Sequence, residues 1–230
     1  MFTPFATNIW LYDGPAIQAD LGFHYPTRMA VIRLDDGALL IWSPVALSND
    51  IPAALADLGP VRHLVAPNHL HHMALSDWIT AFPQARVYAP PKLRAKRPDI
   101  RFDDDLRNEP AADWAGQLDQ VLINGNRITT EVAMFHRASG TVLIADLLQA
   151  LPHGWFSGWR AWVARLDLML GPEPQVPRKF RLAFTDRAAA RASVATLLDW
   201  PAKAVVIAHG PPVQADGQAT LQRAFAWLMK

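Results

Sequence analysis

Short runs rich in Val, Ile and Leu recur along this chain, close together at first and then at helix-length intervals. That rhythm limits the fold more than any other feature. Residues 8–12, 29–34 and 38–42 read as strands, the last two joined by a turn at Asp35-Asp36-Gly37. They predict an opening antiparallel meander. Further strands are expected over residues 62–66, 86–89, 119–123, 131–135, 141–145 and 204–208. Ser48-Asn49-Asp50 ahead of Pro52 marks a helix start, Ser76 is placed to cap a helix over residues 77–82, and helices are expected over 186–198 and 221–228. Strands in a meander, then strands alternating with helices, predict a mixed α/β (α+β) fold whose sheets are covered by helices on the outside. At 230 residues the chain is expected to be one domain, 1–230.

Composition removes several classes of function. Twenty-two Lys and Arg balance twenty-one Asp and Glu, and the basic residues form no run that could track a phosphate backbone, so nucleic acid is not an expected partner. No stretch approaches the roughly 18 to 20 apolar residues of a membrane span, and the first residues lack a basic start and an apolar core. The expectation is a cytoplasmic chain with no membrane partner, acting on a small molecule. Cysteine is absent, so a transition-metal site has to be built from His, Asp and Glu.

Three of the eight histidines fall within four positions, in Asn68-His69-Leu70-His71-His72, directly behind the strand over 62–66. Further candidate ligands lie just past other strands: His136, Asp146, and His209 in the run AVVIAHG. Ligands delivered from several strand ends can converge on one rim of a rigid sheet. An H-x-H pair points two imidazoles the same way, and three nitrogens with an open fourth position form the catalytic arrangement of zinc. Two plainer readings stand beside this one: imidazoles that only tie loop backbone groups together, and Asp146 as the N-cap of a short helix over 147–150. His63, inside its strand, is read as structural.

The order H-x-H after a strand, then His136 with Ser139-Gly140-Thr141, a strand ending in Asp146, and a late strand ending in His209-Gly210 resembles the metallo-β-lactamase superfamily. VAPNHLHH, the Trp78–Pro83 segment, EVAMFHRASGTVLIADLL and VVIAHGPPV resemble a divergent, uncharacterised branch of it. The resemblance implies a four-layer αββα sandwich with metal, zinc or iron, at the rim. Against the superfamily's H-x-H-x-D-H motif two registers are open. In one, His69 and His71 fill the first two positions, His136 completes a three-histidine site, and Met73 and Ala74 replace the Asp and the last His. In the other, Asn68 takes the first His position, Leu70 and Met73 fall on ligand positions, and His72 is the remaining donor.

The function implied is metal-dependent hydrolysis of an ester, thioester or amide, with metal held by His69, His71 and His136, or by a subset including His72 and His209. Asp146 is expected to orient the attacking water or act as its base. The alternative is a non-catalytic relative that has lost the metal and binds a small ligand or a protein. No nucleophile elbow, Walker loop, dinucleotide fingerprint or H-E-x-x-H motif competes. Residues 155–170 carry Trp155, Trp159, Trp162, Leu166 and Met169 at helical spacing, widened by Phe156, Val163 and Leu170. So wide a stripe on one helix predicts a two-fold homodimer contact, with a lid over the rim site as the other reading.

Overall fold

The structure, a computed structural model, describes residues 1–230. Seven strands form the first sheet in sequence order: β1 (Thr3–Ala6), β2 (Ile9–Gln18), β3 (His24–Arg33), β4 (Leu39–Trp42), β5 (Val61–Val65), β6 (Arg86–Ala89) and β7 (Asp104–Asp105). The pairs from β1 to β4 are antiparallel and those from β4 to β7 parallel. The switch follows from the connections: α1 (Ile51–Ala56), α2 (Leu75–Ala81) and α3 (Leu93–Lys96) each carry the chain back before the next strand begins. The second sheet holds β8 (Leu118–Ile123), β9 (Glu131–His136), β10 (Thr141–Gln149) and β11 (Ala204–His209), in the order β11-β10-β9-β8. Its β10–β11 pair is parallel, spanned by α4 (Gly158–Leu166), α5 (Arg178–Ala183) and α6 (Arg187–Asp199), and α7 (Gly217–Met229) closes the chain.

Alternation along the strands sorts the core into three apolar layers, hence four layers of structure. Ala30, Ile32, Leu40 and Trp42 meet Val132, Met134, Leu143 and Val206 between the sheets. The intervening residues Met29, Val31, Leu39 and Ile41 face the other way, onto Ile51, Leu55, Leu75 and Trp78 of α1 and α2. Likewise Ala133, Phe135, Val142 and Ile207 face Phe180, Val194, Leu197 and Phe225 of α5, α6 and α7. Period-two burial on both faces is what the near-continuous apolar runs in the sequence required. The αββα sandwich is the architecture expected.

Two local expectations are corrected. Residues 147–150 do not form a helix capped by Asp146, because β10 continues through Asp146 to Gln149. Nor do residues 155–170 form one helix: α4 begins only at Gly158, whose φ is +57°, and stops before Leu168, whose φ is +61°. Those left-handed residues cut the aromatic stripe at both ends. Trp155 and Phe156 lie ahead of the helix, and Phe156 is buried with Leu151, Ala164 and Met169. No helix is long and apolar enough to cross a membrane.

Candidate metal centre

The rim where β4, β5, β10 and β11 end and β9 begins gathers the chemistry. Asn68, fully buried just past β5, is its hub. Its Oδ1 accepts the Leu70 and His71 backbone N–H groups at 2.8 and 2.9 Å, a side-chain turn that sets the loop. Its Nδ2 donates to Asp146 Oδ2 at 2.7 Å and to Glu131 Oε2 at 3.1 Å. Glu131 starts β9, and β9 pairs with β10 only over Thr141–Leu143. Beyond that point the Glu131 carboxylate replaces the missing strand, accepting the N–H groups of Ala145, Asp146 and Leu147. The Asp146 side chain, thus anchored, faces His71 and His209.

Both imidazoles are oriented through Nδ1. His209 Nδ1 donates to Pro26 O at 2.7 Å, and a carbonyl can only accept. His71 Nδ1 lies 2.7 Å from Ser43 Oγ, whose own proton goes to Arg28 O at 3.1 Å, so here too Nδ1 carries the hydrogen. In the neutral rings each Nε2 is then a bare lone pair. His71 Nε2 is 3.2 Å from Asp146 Oδ2, His209 Nε2 is 3.2 Å from Asp146 Oδ1, and the two nitrogens are 3.3 Å apart. Acceptors at such distances repel unless a proton or a metal cation sits among them. Each nitrogen faces a different Asp146 oxygen, and one ligand atom from each of the three side chains lies within 4.8 Å of the other two, close enough for the group to hold a metal ion.

Burial raises the Asp146 carboxyl, but when the His71 and His209 rings beside it carry a proton on Nε2, their charge and hydrogen bonds outweigh that and hold it well below the usual carboxylate range. Glu131 goes the other way: full burial and the neighbouring Asp146 charge push it up, against the four donors that favour its charged form. One carboxyl thus faces the two imidazoles and the other faces the backbone.

Comparison with known proteins identifies the family and the fold. Residues 7–157, more than half of the chain, match the family described as a domain of unknown function, DUF4336. The chain belongs to that family. In structure this DUF4336 member is similar to the metallo-β-lactamase FIM-1 from Pseudomonas aeruginosa in its mono-zinc form, with a TM-score of 0.66 and 13% identity over 99% of this chain and 94% of that one. A metallo-β-lactamase from Erythrobacter litoralis gives 0.68 and 15% over 99% and 95%. The Flv1 flavodiiron core from Synechocystis gives 0.65 and 13%, over 100% of this chain and 60% of that one. Identities this low establish the metallo-β-lactamase fold alone. The comparison with curated proteins gives no match.

Of the six sequence candidates, this DUF4336 chain brings together His71, Asp146 and His209 and leaves out three. His136 pairs with Thr141 at the far end of β10, five residues and about 16 Å of strand from Asp146. The reason is topological: β9 runs antiparallel to β10, so the start of β9, not its end, reaches the rim. His69 turns away, with Nε2 at 2.7 Å from Pro91 O. His72 meets the Arg97 guanidinium, 3.0 Å from its Nδ1, and burial with the Lys96 and Arg97 charges lowers its pKa to about 4. Both motif registers therefore give way to a third, Asn68-x-x-His71.

Glu131 and Ser43 were not anticipated from the sequence. A Glu heading the apolar strand EVAMF was the available signal for the first; nothing local marked Ser43, at φ +56°, for the second. Beside the centre lies a cleft of about 510 Å³ with Ile17, Val45, Met73, Ile128 and Phe180 in its wall. Gln149 lines it too, and its buried Oε1 has no protein partner.

Proposed function

We propose that this chain is a metal-dependent hydrolase of an ester, thioester or amide, with His71, His209 and Asp146 holding one zinc or iron ion. The observation that carries the reading is the convergence of both Nε2 atoms, 3.3 Å apart, on the two oxygens of Asp146 at 3.2 Å, with both Nδ1 positions already committed. A bound ion supplies Lewis acidity and lowers the pKa of a coordinated water. The chain does the rest. Asp146 uses Oδ2 toward His71 and Oδ1 toward His209, so it serves as a donor to the ion and not as the base first expected of it. Asn68 fixes its carboxylate, and Glu131 fixes the strand behind it. The apolar cleft excludes water from the substrate body, and the free Gln149 Oε1 accepts a substrate N–H or O–H.

Metal analysis of tag-free protein purified without chelator, then supplied with zinc or ferrous iron, tests the reading. About one ion per chain, together with chelator-sensitive hydrolysis of a p-nitrophenyl ester, is expected. A chain that takes up neither metal supports the non-catalytic alternative instead.

A further inference from the structure

A second cleft, of about 580 Å³, lies on the other side of Leu70 and Ile128, two residues that line both clefts. Its chemistry is opposite to that of the first. Lys92, Lys96 and Arg127 line it together with Thr129, Thr130 and Thr185. Nearby basic residues are neutralised, Arg94 by Asp105 and Arg97 by Asp99, whereas Lys92 and Arg127 have no carboxylate partner. Lys96 is held in place by donating to His69 O at 2.9 Å. The single carboxylate of the cleft, Asp186, is turned to the backbone, its Oδ1 accepting the Ala189 N–H.

Thr129 adds an independent sign. It is 1% exposed, and its Oγ1 has no partner in the protein. A buried hydroxyl left unpaired is costly unless a ligand satisfies it. The loop that carries it is preformed: Asn126 Oδ1 accepts the N–H groups of Ile128 and Thr129, and Gly125, at φ +82°, lies so close to Asp186 O that a side chain there would collide with it.

We propose that this cleft is an oxyanion subsite that takes the phosphate end of the substrate, the remainder crossing Leu70 and Ile128 to reach His71, Asp146 and His209. Three cationic groups and a free hydroxyl offer more donors than a carboxylate can use, and they suit the several oxygens of a phosphate monoester. The substrate class is thus an apolar acyl compound with a phosphorylated tail, which rests on the hydrolase reading above; the subsite itself does not.

Titration calorimetry with inorganic phosphate tests it on the full chain, on Lys92→Gln/Arg127→Gln, and on His71→Ala. Neither Lys92 nor Arg127 makes an ion pair, so the double variant keeps the fold, which circular dichroism checks. The wild-type chain is expected to bind phosphate, the double variant at least about tenfold more weakly, and His71→Ala as the wild type does. Absence of binding, or binding lost in His71→Ala and retained in the double variant, overturns the subsite. A chain that binds phosphate here yet takes up no metal keeps the subsite and loses the hydrolase.

Discussion

The two ends of the second sheet each bury a histidine, and they treat it differently. At the far end His136 Nδ1 meets Ser139 Oγ three residues away, and Ser139 in turn donates to Thr141 Oγ1, so the imidazole is satisfied by its own hairpin. At the near end His209 and His71 are fixed by acceptors far away in sequence, Pro26 O and Ser43 Oγ, and each keeps an Nε2 aimed at a buried carboxylate. A histidine that ends a strand is therefore not a ligand by position. What distinguishes the two candidate ligands is a remote partner on one nitrogen and an anionic neighbour on the other.

Breaking the near end should remove the centre, while the same change at the far end should leave it. Asp146→Ala is expected to abolish metal uptake, read by elemental analysis, and His136→Ala to retain about one ion per chain. Retention by both would dissolve the contrast. Next in size is Glu131→Ala, which strips an acceptor from three strand N–H groups and from Asn68. A loss of about 3–5 kcal/mol of stability in urea unfolding is expected, because several buried N–H donors lose their acceptor at once. A smaller effect is expected from Ser43→Gly, which removes the hydroxyl at a φ of +56° that glycine adopts freely. Metal affinity should fall about 10- to 100-fold with the fold intact; unchanged affinity would mean that Ser43 does not orient His71.

The far end has its own signature. Burial lowers the pKa of His136, so the unfolded chain binds a proton first as the pH drops. Its contribution to stability is full above about pH 6.5 and is lost as the pH falls toward the lower folded value, and His136→Gln should flatten that part of the stability profile measured by urea midpoints. The least effect on stability belongs to the outer face of α4, where Trp159, Trp162, Val163 and Leu166 are exposed and Trp162 is 70% accessible. Trp162→Glu should change stability by under about 0.5 kcal/mol yet convert the expected two-fold dimer to a monomer in sedimentation. A wild-type monomer removes that contact.

The layers were legible because strands buried on both faces must be apolar throughout, as in Leu39–Trp42 and Ala204–His209, where successive residues face different cores. The site was legible where the parallel strands β10 and β11 carry Asp146 and His209 to the rim, and in the cluster behind β5 that supplied His71 among its three histidines. Direction was the missing quantity. Nothing in EVAMFH says whether its first or last residue reaches the rim, and the antiparallel pairing of β9 decides for Glu131 over His136. Within Asn68–His72 the one-dimensional spacing suggested an H-x-H pair, but the Asn68 side chain folds the loop so that only His71 faces inward.

His71 stands on the loop of one sheet, whereas Asp146 and His209 stand on the other, and Arg28 reaches from β3 to the Ile207 and Gly210 carbonyls alongside them. The donor spacing is therefore a gauge of how far apart the two sheets ride. An ion seated there would act as a rivet through the sandwich. A larger side chain in place of Ala30 or Ala145, which would wedge the middle layer open, should therefore widen the His71–Asp146 and His209–His71 spacings at the rim before either sheet comes apart.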